Sequence, residues 1–236
     1  MVQRYLAQAS TYAADIDFVI DLVGALVGFW FFLTVGVFFF LLFRFRRKPG
    51  VAPEYVTGEE KEYKRFISVS HYLILVCDIF IIFYAIQVWV EVKQRLPEEP
   101  YATVRVIGQQ WAWSFVHPGP DRQLDTPDDI RTVDELHVEV DKPYLYELTS
   151  RDVLHNFSVP VFRLKQDAIP GRTITGWFEA TKTGTHDVQC AEICGIGHAL
   201  MPGRIVIESA VQHAAWMAGK TTTTLAAASS GAPTAN

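Results

Sequence analysis

Two long apolar runs constrain this chain more than any other feature. Leu22 to Phe43 contains no charged residue over 22 positions. As a helix it would rise roughly 33 Å, enough to cross the hydrocarbon core of a bilayer. Phe66 to Val90 is interrupted only by Asp78 among charged residues, and Trp89 stands near its end, where interfacial aromatics concentrate. The loop between the runs carries Arg44, Arg46, Arg47, Lys48, Lys61, Lys64 and Arg65. The positive-inside rule puts such a loop in the cytoplasm and both termini outside. The competing reading is a pair of buried core helices. The length of the runs, their charged flanks and the lack of other helical runs favour a membrane hairpin over residues 22–91, preceded by an extracytoplasmic segment 1–21. Met1 to Ile20 has no apolar core beside a small-residue cleavage site, so no cleavable signal peptide is expected.

After Tyr101 the texture changes to short β-branched and aromatic segments separated by turn residues. Strands are expected at Thr103–Ile107, Trp111–Val116, Glu135–Glu139, Leu145–Thr149, His155–Val159, Thr173–Phe178, Gly184–Gln189 and Arg204–Glu208. Pro118-Gly119-Pro120, Asp141-Lys142-Pro143 and Pro170-Gly171 supply turns. The pattern predicts an all-β sandwich or barrel over residues 98–218, then a short helix over Ser209–Met217 and a disordered tail over 219–236. A formal net charge of −5 excludes the basic face that nucleic acid requires and suits a basic partner. Three cysteines, Cys77, Cys190 and Cys194, are too few for a disulfide scaffold.

The chemistry is concentrated in Cys190-Ala-Glu-Ile-Cys194-Gly-Ile-Gly-His198-Ala-Leu-Met201. Two thiols, an imidazole and a thioether within one short segment form a soft ligand set, suited to copper, zinc or iron–sulfur. The thioether favours copper, because Met is not a usual zinc ligand, whereas Cys, His and a weak Met hold electron-transfer copper. A mononuclear site needs one Cys. A second thiolate lets two sulfurs bridge two ions, and a second imidazole is then required, which His155 could provide. A redox disulfide or structural zinc is the alternative for the cysteines, a packed core imidazole for His155, and a core thioether for Met201.

The run Cys190-x-x-x-Cys194-x-x-x-His198-x-x-Met201, with Asp152-Val-Leu-His155 upstream, resembles the binuclear copper A motif of cytochrome c oxidase subunit II. Leu164-Lys-Gln-Asp-Ala-Ile-Pro-Gly-Arg172 and Gly108-Gln-Gln-Trp-Ala-Trp-Ser114 are similar to further segments of that family. The resemblance implies a cupredoxin-like domain behind a transmembrane hairpin, in the electron-accepting subunit of a terminal haem–copper oxidase. It implies that Cys190 and Cys194 bridge two copper ions, that His155 and His198 are terminal ligands, and that Met201 and the Glu192 carbonyl are weak ligands. The Glu192 side chain would then face a Mg²⁺ at the boundary with a haem-bearing subunit I. Trp111 would receive the electron from a c-type cytochrome. The location implied is a bacterial-type inner membrane, with the copper domain on the periplasmic side. Trp113 is balanced between this role and core packing.

Eight acids between Asp121 and Asp141 (Asp121, Asp125, Asp128, Asp129, Asp134, Glu135, Glu139 and Asp141) read either as a solvated face or as a steering surface for a basic cytochrome. Arg151 departs from the family, which often has an acid before the position of Asp152. Phe66-Ile-Ser-Val-Ser-His71-Tyr likewise lacks the family's usual helix carboxylate, and neither Glu59, Glu60, Glu62 nor His71 is an evident substitute. Asp78 reads equally as a functional intramembrane carboxylate and as a hydrogen-bonding group toward a neighbouring helix. Cys77 is expected to be a small apolar residue, and His71, His117, His137, His186 and His213 to be structural or surface groups. A quinol oxidase subunit II, which lacks the ligands, the copper domain of nitrous oxide reductase, and a tethered copper-delivery protein are the rival readings.

Overall fold

The computed structural model describes residues 4–52 and 55–229, with side chains as far as Lys220. The chain divides into two compact units. The first holds α1 (Ala13–Arg44) and α2 (Lys61–Trp89), the latter running on through a π turn at Val90–Gln94. Both helices are longer than their apolar runs, because the bilayer requirement limits only the apolar part and helical hydrogen bonding continues into the polar flanks. Asp15 lies in the first turn of α1 and Arg44 in its last, each favourable to the helix dipole. Both helices pass 18-residue windows of mean hydropathy 2.5 and 2.4, and neither window is buried within the chain. Phe32, Phe40 and Ile82 are among the apolar side chains left open. These surfaces are suited to lipid or to neighbouring helices and not to a soluble core.

The second unit is a β-sandwich. One sheet has the order β3-β2-β1-β5-β8, built from Ile130–Val133, Ala112–His117, Ala102–Gln109, Pro143–Ser150 and Ile174–Glu179. The other has the order β4-β10-β9-β6-β7, built from Glu135–Glu139, Pro202–Glu208, Gly184–Cys190, His155–Val159 and Leu164–Ala168. Strict alternation along β5 buries Tyr144, Tyr146, Leu148 and Ser150. Trp113, Phe115, Tyr146 and Phe178 of the first sheet meet Leu136, Phe157, Val188 and Ile205 of the second in the core. All eight expected strands form. Two more, β3 and β7, escaped the pattern because they are edge strands with mixed polarity, Ile-Arg-Thr-Val and Leu-Lys-Gln-Asp-Ala.

Residues 6–12, just before α1, are bonded into the β-domain. Ala9 and Ser10 hydrogen-bond to Val161 and Phe162, Thr11 donates to the Glu179 carbonyl, and Thr181 donates back to Ala9. Arg163 clamps the Leu6 and Ala7 carbonyls, and the buried Tyr12 ring meets Trp177 edge-on at 5.3 Å. The chain therefore enters α1 from the β-domain and returns to it after α2.

At the other end of the sequence α3 spans Ala210–Ser229, extending past the short helix expected there and into the stretch expected to be disordered. Residues 230–236 of that stretch lie outside the described residues. Trp216 stacks on His137 at 4.2 Å, while Glu208 accepts from His137 and His213, fixing α3 to the sandwich. His117 lies beneath this cluster. Its Nδ1–H donates to the Ile130 carbonyl and its Nε2 accepts the His137 amide. Burial, aided by repulsion from His137, His213 and Lys220, pushes its pKa down to about 3. In an unfolded chain imidazole titrates near ~6.5, so between these values the unfolded state binds the extra proton. Acidification from ~6.5 toward 3 therefore removes stability, by at most about 1.4 kcal/mol per pH unit from this group. Denaturant melts of His117→Phe between pH 7 and 4 are expected to lose stability less steeply than the parent, and identical slopes would refute this assignment.

Candidate metal centre

Strand register builds the site. His155 opens β6, fully buried, and Phe157 of the same strand pairs with Cys190 at the end of β9. Gln189 pairs with Pro202 across β9 and β10, so residues 190–201 form a loop whose two ends are held side by side. Within it His198 donates its amide to Gly195 and Leu200 to Gly197, closing a tight turn. All six expected ligand positions converge here. Cys190 Sγ lies 3.8 Å from His155 Nδ1, 3.8 Å from Cys194 Sγ and 3.3 Å from the Glu192 carbonyl oxygen. Cys194 Sγ lies 3.7 Å from His198 Nδ1 and 3.9 Å from Met201 Sδ.

The two sulfurs are far beyond the roughly 2.05 Å of a disulfide, and both cysteines are free. A thiolate–metal bond is about 2.3 Å, so one ion can touch both sulfurs across their 3.8 Å gap, from either side of the line joining them. His155, Cys190 and Cys194 alone already bring their donor atoms within 4.8 Å of one another. The imidazole is prepared for ligation. His155 Nε2–H donates to Asp152 Oδ1 at 2.9 Å, which leaves the Nδ1 lone pair facing Cys190. Burial opposes ionisation of Asp152, but hydrogen bonds from the Gln110 and Val153 amides and from His155 outweigh it, and its pKa is lowered. Burial and the adjacent Cys190 thiol push the Cys194 thiol up to about 11, so metal uptake must displace its proton.

Trp111 and Trp113 separate cleanly. Trp113 is 0% exposed and packs edge-on to His155 and Phe157, a core residue. Trp111 is 39% exposed and lies on the ligand loop. A Cβ on Gly197 would fall 2.4 Å from its Cδ2, and one on Gly195 would fall 2.8 Å from the Gln110 amide nitrogen. The two glycines let residues 110 and 111 rest directly on the segment between Cys194 and His198. Sequence reasoning missed Gln110, whose Nε2 donates to the Cys194 carbonyl at 2.7 Å. The Gly-x-Gly between Cys194 and His198 was the available signal of that close approach.

The acidic stretch has mixed duties. Asp125 forms a fork with Arg105, which also holds Glu147. Asp134 accepts the Trp113 amide, and the buried Glu139 accepts from Tyr101. Asp121, Glu135 and Asp141 remain exposed. Arg151 donates to the Gln109 side chain at 2.9 Å. The replacement Gly197→Ala is expected to force the Trp111 indole off the loop at a cost of roughly 1–3 kcal/mol. The melting temperature should fall by several degrees and amide exchange at residues 195–198 should quicken. An unchanged melt would show that the indole does not rest there.

Residues 102–210 match the family described as cytochrome c oxidase subunit II, periplasmic domain. An alternative cytochrome c oxidase subunit 2 of Bradyrhizobium diazoefficiens is 31% identical over 226 residues, covering 86% of this chain and 79% of that one. A cytochrome c oxidase subunit 2 of Cereibacter sphaeroides is 32% identical over 155 residues, and that of Thermostichus vulcanus 42% over 117. The chain spans 51% and 33% of the length of these two. The solved periplasmic domain of cytochrome oxidase subunit II from Bradyrhizobium japonicum covers 55% of this chain and 99% of its own length, at 30% identity and a TM-score of 0.49. With a β-domain of the family's kind, two helices apolar enough to cross a membrane and a relative matched over most of its length, the chain belongs to the cytochrome c oxidase subunit II family.

Proposed function

We propose that the chain accepts electrons for a haem–copper oxidase at a dinuclear copper centre in the loop between β9 and β10. The observation that carries this reading is the unbroken series of contacts from His155 through Cys190 and Cys194 to His198 and Met201. In this reading Cys190 and Cys194 would hold the two ions as thiolates, His155 and His198 would add the imidazole ligands, and Met201 and the Glu192 carbonyl would be weak ligands. Copper bound there would supply a one-electron carrier whose charge change is shared by two ions. The chain's own part is to hold the donor atoms still. His155 is oriented by Asp152, Met201 and Cys194 are shielded from water, and both loop ends are hydrogen-bonded to neighbouring strands.

Trp111 receives the electron from a c-type cytochrome in this reading, because its ring is exposed on one edge and meets the ligand loop on the other. The electron leaves for a haem in subunit I. The Glu192 carboxylate, which is exposed, would be the group that holds a Mg²⁺ at that boundary. Lipid and partner subunits cover the apolar helices, the basic loop faces the cytoplasm, and the β-domain lies on the outer side of a bacterial inner membrane. The exposed members of the acidic stretch steer a basic donor.

Copper added to the purified chain is expected to give a seven-line mixed-valence electron paramagnetic resonance signal. A four-line signal, or none, would overturn the dinuclear reading, and Cys190→Ser should abolish the seven lines. Trp111→Phe in the assembled oxidase should slow transfer from the donor with copper content intact. An unaltered rate removes Trp111 from the path.

A further inference from the structure

We propose that Gln110 is a positioning residue that ties the two halves of the ligand set together and holds the Cys194 peptide in the orientation the centre requires. The inference rests on the dinuclear reading and goes beyond it. The ligands come from two separate parts of the chain, His155 on β6 and the remainder on the loop after β9. Gln110 reaches both. Its backbone N–H donates to Asp152 Oδ2 at 2.7 Å, and the other oxygen of that carboxylate holds the His155 ring. Its side-chain Nε2–H donates to the Cys194 carbonyl at 2.7 Å. One residue thus belongs to a continuous hydrogen-bonded chain from the His155 imidazole to the Cys194 backbone.

The Cys194 side makes this contact consequential. Cys194 is 3% exposed, and its sulfur is the one that touches Cys190, His198 and Met201 alike. A rotation of its peptide would move that sulfur against three other donor atoms at once. The following residue, Gly195, has φ +127 and carries no side chain where a Cβ would lie 2.8 Å from the Gln110 nitrogen. The loop is therefore shaped to admit the amide. Groups just outside a metal's own ligands commonly change affinity or activity by roughly 10- to 100-fold when removed. Arg151, by contrast, donates its guanidinium to the Gln109 side chain and its backbone amide to the Gly108 carbonyl, and neither contact is to a donor of the cluster.

The test uses the full oxidase carrying Gln110→Met, which keeps the length and the backbone N–H but lacks the amide donor. Gln110→Asn, which keeps the donor one methylene short, is the companion variant. Both are expected to lose copper to a chelator roughly tenfold faster than the parent. Both should show altered hyperfine splitting, and Gln110→Met a lower reduction potential, since removing a donor dipole disfavours the added electron. The KM for the cytochrome should stay unchanged. A parent with the seven-line signal and variants matching it in copper loss, spectrum and potential would sink the inference alone. So would a raised KM with an unaltered spectrum, which would make Gln110 a docking residue. A parent without the signal would sink the dinuclear reading and this inference with it. Should the variants fail to assemble, hydrogen exchange at residues 191–198 of the copper-free chain decides: faster exchange in Gln110→Met supports the clamp, and equal exchange overturns it.

Discussion

The pairing of Gln189 with Pro202 is the constraint on which the rest of the site depends. A loop carrying two thiols, an imidazole and a thioether would, if its ends were free, sample many arrangements and lose conformational entropy on every binding event. Here antiparallel register brings the loop ends together, and the β6–β9 pairing sets His155 beside the first thiol. Neither sheet edge nor solvent can then separate the donors without breaking ladder hydrogen bonds. The arrangement also explains why two reduced cysteines can sit 3.8 Å apart without being bonded: each sulfur is positioned by its own stretch of backbone, one ending a strand and the other inside the turn that follows.

The same economy governs how the β-domain is tethered. The strap of residues 4–14 is hydrogen-bonded to the domain, and the chain enters α1 directly from it. After α2 the π turn at Val90–Gln94 leads back, with Lys93 donating to the Gln166 side chain at 2.9 Å. The strap and the segment after α2 thus belong to the β-domain's own folded unit, held there by backbone hydrogen bonds and the buried Tyr12, none of which depends on lipid.

The cluster of donor side chains was legible in sequence because four of them fall in one short run, and soft sulfur beside imidazole restricts the metal chemistry sharply. The hairpin was legible because hydrocarbon imposes a length and excludes charge. Other features were hidden for identifiable reasons. Strand β7 pairs only with β6 and lies at a sheet edge, so Lys165, Gln166 and Asp167 blur its alternation. The polar flanks of α1 carry no signal of where helical bonding stops. Gln110 lies 84 positions from Cys194, and no local pattern records a contact formed by two sheets meeting. His117, His137 and His213 were read as structural or surface groups, and their convergence with Glu208 and Trp216 is a tertiary fact.

The acidic stretch illustrates how a field and a framework share residues. Asp125 is paired with the Arg105 fork, Asp134 accepts a strand amide and Glu139 is buried, so these three serve the framework of the domain. Asp121, Glu135 and Asp141 stand exposed, where salt screens a charge most strongly. Near Trp111 the local chemistry is different. Ile193, Ile196 and Leu200 are exposed on the loop, and Arg151 donates to the Gln109 side chain. Charge set apart from an exposed apolar surface is, in general, an arrangement that favours rapid approach and rapid departure of a partner.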